Sequence, residues 1–413
     1  MTIAATLTSD PAPGALAGIR VVDLSTILMG PYGARILADQ GAEVIRIESL
    51  TGDSARNSLP ARNPGMSGLH LALHRNKRSI ALNLKDPNGR DAALAIMATA
   101  DVVISNMRRA ALDRLGIGPD QARAEHPELI YCVANGYGSN GPYAAKAAYD
   151  DAVQAGSGLA WLQAQVDPSG EPRYLPAIIA DKVCGMTVAQ AVLVALLHRA
   201  RTGAGQIIEV PMLETMVAFN VIEHQRGATF DPPAGVFGYD RLLTRFRKPF
   251  RTADGWAALL PYSDRQWQDF LTLGGRPDLL TDPRFADHNT RMAHIDELYA
   301  LVEEVAPSRT TADWLACCEQ ASIPASPVLD LSKAEQDPHL AAVGLFEAAE
   351  HPSEGRYRNV ADPVRYGATP SALRRHAPRL GEHTKEILTE AGWDDARIAA
   401  LLEAGTARQA PCS

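Results

Sequence analysis

The stretch GIRVVDLSTILMGPYGARILADQGAEVIRIE, Gly18 to Glu48, decides the fold. Its opening, Ile19 to Leu24, is apolar and β-branched between Gly18 and Ser25, the pattern of a buried strand. Gly30-Pro31 then marks the entry to a helix over Tyr32 to Gln40, because proline's fixed φ suits a first helical turn. Gly41 stops that helix, and Glu43 to Glu48 reads as the next strand. Strand, helix and strand in that order imply a parallel pair joined by a right-handed crossover.

The same pattern continues outward. Ile80 to Leu84, Val102 to Ser105, Ile130 to Ala134 and Gln206 to Val210 read as strands, and Gly89 to Thr99 as a helix. A long apolar helix is expected at about Lys182 to Thr202, and another from Pro211 to about Arg226. The composition changes at Asp231 to Gly235 (DPPAG), a linker into a second domain. That domain opens on a hairpin over Phe250 to Pro261 that turns at Asp254-Gly255, and its clearest helices are Trp267 to Leu273 and Ile295 to Val305. Pro324 to Pro327 makes a second break, and Asp394 to Glu403 a last helix. The expected class is α/β: a Rossmann-like large domain with a parallel sheet, plus a smaller α+β domain.

With 413 residues, 46% hydrophobic and 21% charged, the chain has the composition of a globular protein rather than a disordered one. Its 40 basic and 48 acidic residues give a net charge of −8, which argues against a nucleic-acid or membrane-surface partner. Cys132, Cys184, Cys317, Cys318 and Cys412 form no CxxC pair, which fits a reducing cytosol. Met1 to Ala17 lacks the charged and apolar regions of a signal peptide, and the apolar run Val188 to Leu197 is far too short to span a membrane. A cytoplasmic protein is expected.

Common signatures are missing. The turn after the first strand is Leu28-Met29-Gly30-Pro31-Tyr32-Gly33 rather than GxGxxG, and no P-loop, GxSxG or HExxH occurs. His70 and His74, four apart, read as loop or surface histidines rather than a metal pair, so no metal is expected. Among the cations, Arg75, Lys77 and Arg78 precede the strand at Ile80, and Arg108 and Arg109 follow the strand at Val102. Ligands gather outside the carboxyl ends of parallel strands, which places Arg108 better than the other cations to meet a phosphate group, although plain solvated charge is the stronger reading of these residues alone. Tyr149 reads as a buried tyrosine with a satisfied hydroxyl, and Asp150 follows it. Asp181, just ahead of the long helix, reads either as a helix cap or as a nucleophilic carboxylate, and periodicity does not decide between them.

Taken together, GIRVVDLS…GP…LADQGAEVIRIE, RNKRSIALNLK, GYGSNGPY, LLHRARTGAGQIIEVPMLE, DPRF, DPHL and APRLGEHTKEIL run in order from Leu16 to Leu388. In these motifs the chain resembles the class III CoA-transferases, the family of formyl-CoA transferase, carnitine CoA-transferase and methylacyl-CoA racemase. The resemblance implies that Asp181, with Gly185 four residues on, is the catalytic carboxylate, and that Tyr149 and Asp150 lie near the thioester. It implies that Arg108 meets CoA phosphate and that Arg75, Asn76, Lys77 and Arg78 line the nucleotide part of CoA. It further implies an interlocked homodimer whose large domain is built from both chain ends, with divisions 1–225, 226–330 and 331–413.

The activity so implied moves CoA from an acyl-CoA donor, succinyl-CoA for example, to a carboxylic acid through an aspartyl-CoA thioester. The CoA thioester is then a substrate, and no cofactor is permanently bound. Racemases of this kind carry histidine where this chain has Tyr149, and a phenol is a poor base at neutral pH. Formyl-CoA transferases place glutamine ahead of the Gly-Pro turn, where Leu28-Met29 stands here, and a glycine run where this chain has only Gly235 to Tyr239. Racemase-type proton transfer, a non-catalytic CoA- or nucleotide-binding protein and a dinucleotide oxidoreductase remain as alternatives. Arg241 to Arg251 holds four arginines and one lysine: a basic surface, or the source of an arginine that pairs the second carboxylate of a C4–C5 dicarboxylic acid.

Overall fold

The computed structural model describes residues 13–411, so Met1 to Ala12 and Cys412 lie outside the described residues. The chain divides into two units. The larger takes the chain up to Gln154, Ala177–Met216 and everything from Pro338 onward; the smaller takes Ala155–Pro176 and Val217–Asp337.

The large unit is built on one sheet. Its strands are β1 (Arg20–Asp23), β2 (Glu43–Glu48), β3 (Lys77–Leu82), β4 (Val102–Ser105), β5 (Ile130–Asn135) and β6 (Ile207–Pro211), with a short edge strand at Ala407–Arg408. In space they run edge strand, β3, β2, β1, β4, β5, β6. All pairings are parallel except that of the edge strand with β3. Val21, Val22, Ile45, Ile80, Val103, Ile104 and Ile130 are all buried, which is why these strands read as continuous apolar runs. Strand order reverses between β1 and β4, and the crevice at their carboxyl ends is where such sheets take ligands.

Two element boundaries differ from the sequence reading, and both matter for function. β3 begins at Lys77, not Ile80, because its pairing with β2 extends back to Val44↔Lys77. That register draws Lys77 and Arg78 into the sheet. The long helix begins at Ile179, not Lys182, so Asp181 sits inside its first turn rather than ahead of it.

This helix, Ile179–Thr202, crosses the helix Met29–Asp39 at two glycines. A Cβ on Gly33 would lie 2.8 Å from the Gly185 carbonyl oxygen, and one on Gly185 would lie 2.7 Å from that of Met29. Only glycine permits so close a crossing, which fixes the turn that carries Asp181. By length and composition alone, Ile179–Thr202 is apolar enough to cross a membrane, although no single apolar run in it is. Its inner face, including Cys184, Val188 and Val192, is buried, and Arg199 near its end pairs with Asp101 at 2.7 Å.

The small unit has a three-stranded antiparallel sheet of Phe250–Arg251, Trp256–Leu259 and Ala325–Pro327. Trp267, Phe270, Leu298, Val302 and Trp314 form its core. It also claims residues 155–176, which the sequence reading left in the large domain: the Asn220 amide donates to the Ser157 carbonyl at 3.1 Å.

Candidate active site

Asp181 and Asp150 meet at the start of the long helix. Asp150 is buried; its Oδ1 accepts the backbone N–H of Asp181 at 3.1 Å, and its Oδ2 accepts the Gln154 amide at 2.6 Å. Asp150 therefore does the capping, supplying an acceptor for one of the orphan N–H groups of the first turn. The Asp181 carboxylate has no hydrogen-bond or ion-pair partner among the described residues. Burial, and then the Asp150 charge, push its carboxyl up from 3.8 to about 6. The N-terminal helix dipole favours the ionised form, but desolvation outweighs it here. The result is a carboxylate ionised at neutral pH, poorly solvated and free to attack.

Tyr149, next to Asp150, is 67% exposed rather than buried, which corrects the reading of a satisfied core tyrosine. Arg108 is exposed at the carboxyl end of β4 and donates to the Ala145 carbonyl at 3.4 Å, just ahead of Tyr149 in the chain. The same loop places Lys146 over the Tyr143 ring, 3.5 Å from its centroid. Asn106 stitches the crevice across the strand-order reversal, accepting from the Thr26 N–H at 2.9 Å and donating to the Thr26 carbonyl at 2.8 Å.

The run Arg75 to Arg78 lies elsewhere and is buried. Arg75 forms a two-pronged bond to Asp39, with Nη2 to Oδ2 at 2.7 Å, and donates to Asn359. Asn76 binds Asp39 and accepts the Arg374 and Arg375 N–H groups. Lys77, wholly buried, pairs with Asp23 at 2.9 Å. Arg78 joins Glu43, Glu386 and Glu390. These four side chains hold β3 to its neighbours and to the C-terminal segment. The strand's earlier start is the reason.

A cavity of about 430 Å³ lies beyond the carboxyl ends of β3 and β4. Lys85, Asp86 and Arg90 after β3, and Met107, Arg114 and Leu115 after β4, are among its lining residues. Lys85 and Arg114 are exposed and pair with no carboxylate among the described residues; Arg90 pairs with Asp91 at 3.0 Å. Apolar walls with unpaired cations suit a flat base and its phosphates. The sequence reading missed this group because its members are scattered, although Lys85 follows the carboxyl end of β3 as Arg108 follows that of β4.

His70 and His74 are not on the surface. Both are buried on the helix Gly68–His74 with their rings stacked at 4.7 Å, and burial beside Arg46 and Arg56 holds them well below the usual histidine range. Among the described residues no three His, Cys, Asp or Glu side chains are grouped to hold a metal.

Known proteins share this architecture over more than nine tenths of the chain. The profile of CoA-transferase family III matches residues 16–384. An acyl-CoA transferase of Fusarium pseudograminearum is 33% identical, over 97% of this chain and 90% of that protein. A succinate–glutarate CoA-transferase of Agrobacterium fabrum is 32% identical, over 91% of this chain and 95% of its own. The crystal structure of a CaiB/BaiF family protein from Brucella suis is similar at a TM-score of 0.77 and 30% identity, over 92% of this chain and 100% of that one. The matched span takes in the six parallel strands β1 to β6, the crevice at the strand-order reversal and the turn that bears Asp181, so the chain belongs to CoA-transferase family III.

Proposed function

We propose that this chain moves CoA from an acyl-CoA donor to a carboxylic acid, with Asp181 as the nucleophile. The observation that carries this reading is the unpartnered, desolvated Asp181 carboxylate beside Asp150. Asp181 attacks the thioester carbonyl and expels CoA thiolate, leaving an acyl-aspartyl anhydride. The thiolate attacks the aspartyl carbonyl, releases the first acid and forms an aspartyl-CoA thioester. The acceptor carboxylate reverses both steps. Bond energies match on the two sides, so no ATP is consumed.

In this reading Asp150 positions the Asp181 turn, while exposed Tyr149 lies beside the thioester. The cavity of Lys85, Arg90, Met107 and Arg114 takes the nucleotide part of CoA, and Arg108 a phosphate. Succinyl-CoA is a fitting donor, given the named activity of the Agrobacterium relative. Two copies interlock as a homodimer, covering exposed apolar side chains such as Leu193, Val194, Leu197, Phe219 and Ile222. The enzyme works in the cytoplasm, in keeping with the free Cys132, Cys184, Cys317 and Cys318.

Incubation with succinyl-CoA and a panel of acids should yield new CoA thioesters, and hydroxylamine trapping followed by mass spectrometry should place the modification on Asp181. Full transfer by Asp181→Ala removes this residue from the mechanism. Exchange of an α-proton without transfer supports proton abstraction instead. Light scattering after gel filtration should give twice the chain mass.

A further inference from the structure

Ile27 stands in the left-handed region, at φ 66°, which a β-branched side chain resists because its Cβ crowds the backbone. Of the four non-glycine residues at positive φ among those described, only Ile27 is β-branched. It lies in the turn between β1 and the helix Met29–Asp39, at the strand-order reversal. Side chains of the large unit hold this turn residue by residue. Asp23 accepts the Ser25 N–H at 3.0 Å, and Asn106 takes both peptide groups of Thr26. The Ile27 N–H donates to Asp53 Oδ2 at 3.2 Å. Asp53 is fixed in turn: its carboxylate is almost wholly withdrawn from water, pairs with Arg46 and accepts the Arg56 N–H at 3.3 Å.

A residue in so unfavourable a conformation persists only where its surroundings over-determine it, and such residues concentrate where geometry is set before a reaction. The glycine crossing fixes what lies beside this turn. A Cβ on Gly185 would meet Met29 and Tyr32, and one on Gly33 would meet Val188, so the two helices advance in the same direction. Asp181 lies on the same face as Gly185, one turn and about 6 Å nearer the helix start. It is therefore level with the residues just ahead of Met29, namely Ile27 and Leu28.

We infer that Asp53 is a positioning residue for CoA transfer: by holding the Ile27 N–H it keeps the turn left-handed, and the turn seats the thioester end of acyl-CoA beside Asp181. This rests on the CoA-transfer reading and adds to it a residue that touches no reacting atom. Released from Asp53, Ile27 relaxes to negative φ and carries the Leu28 peptide with it. A glycine at position 27 has no Cβ to relieve and needs far less holding.

The test measures transfer from succinyl-CoA, with Asp53→Ala made in two backgrounds, wild type and Ile27→Gly. In the wild-type background kcat/KM for succinyl-CoA should fall about 10- to 100-fold, the scale of an ångström's misplacement. In the Ile27→Gly background the same change should cost less than about threefold, because the two residues act as one unit. Asp53→Asn, which keeps an oxygen acceptor for the Ile27 N–H, should recover most of the loss. Equal losses in both backgrounds, or no loss in the first, overturn the inference, since an Asp53 that merely balanced Arg46 would act alike on both. Should Asp53→Ala fail to fold, Ile27→Pro replaces it: proline forbids positive φ and removes the N–H while leaving the Asp53–Arg46 pair intact. Lowered kcat/KM at an unchanged thermal midpoint then upholds the inference, and undiminished transfer overturns it. If the wild type transfers CoA to no acid, it is the transfer reading that fails. Calorimetry with succinyl-CoA then decides the positioning alone: binding weakened by Asp53→Ala and restored by Ile27→Gly upholds it, and equal or absent binding overturns it.

Discussion

Asp150 holds the backbone of Asp181, its Oδ1 accepting the Asp181 N–H at 3.1 Å, and the charge that makes this bond also bears on the Asp181 carboxylate. One residue thus fixes the Asp181 turn in place and, after burial, adds to the proton affinity of its carboxylate. Transfer should follow the ionised fraction of Asp181. The kcat/KM for acyl-CoA should fall as pH drops through about 6. A pH–rate profile flat down to pH 4 would place the essential base elsewhere.

Asp150→Asn keeps an oxygen acceptor and removes the charge. Transfer should survive, and the acidic limb of the profile should move to lower pH. An unmoved limb would mean that burial alone raises Asp181.

The same displacement bears on stability. Because the folded-state value is raised from 3.8 to about 6, ionised Asp181 opposes folding fully above pH 6 and not at all below pH 3.8. Asp181→Asn should therefore stabilise the protein at pH 8 by about 1–2 kcal/mol, allowing for solvent screening of a partly exposed group. The gain should vanish near pH 4. Urea denaturation at the two pH values reads the difference, and an equal effect at both would contradict it.

Arg114→Ala and Lys85→Ala should each weaken CoA binding by about 1.5–3 kcal/mol, the scale of a charged hydrogen bond. Arg78→Ala should leave the calorimetric affinity unchanged and lower the unfolding midpoint, since it removes the ion pairs that tie β3 to Glu43, Glu386 and Glu390. The reverse pattern would return the nucleotide to the Arg75–Arg78 run.

Gly185→Ala places a Cβ 2.7 Å from the Met29 carbonyl oxygen, so the two helices must part. The expected cost is about 1–3 kcal/mol, typical of overpacking, together with reduced transfer as the Asp181 turn shifts. Unaltered stability and rate would show that the crossing has slack.

Much of the sheet was legible because strands covered on both faces must be apolar, and Glu43–Glu48 and Val102–Ser105 begin and end where the residue pattern places them. β3 was legible only in its apolar half. Lys77 and Arg78 look like solvated charge in a sequence, and only the Asp23 and Glu43 brought beside them in space make them interior residues. Asp181 carried no local sign of whether it caps the helix. The acceptor for its own N–H is Asp150, thirty-one residues away, which no local pattern could show. The cation-lined cavity drew its members from the ends of two strands that are not neighbours in the sheet.

The edge strand Ala407–Arg408 has a consequence for biosynthesis. It closes β3 through Ala407↔Leu82 and Arg408↔Ala81, pairs more than 320 residues apart in the chain. Until Ala407 and Arg408 are made and docked, the nascent large unit presents β3 as an open edge with unpaired N–H and C=O groups, the template on which strands of other chains add. This pair of residues thus acts as a seal on a strand made much earlier. Truncation just ahead of Ala407 should yield a chain whose chief defect is aggregation during synthesis, read as loss of soluble yield.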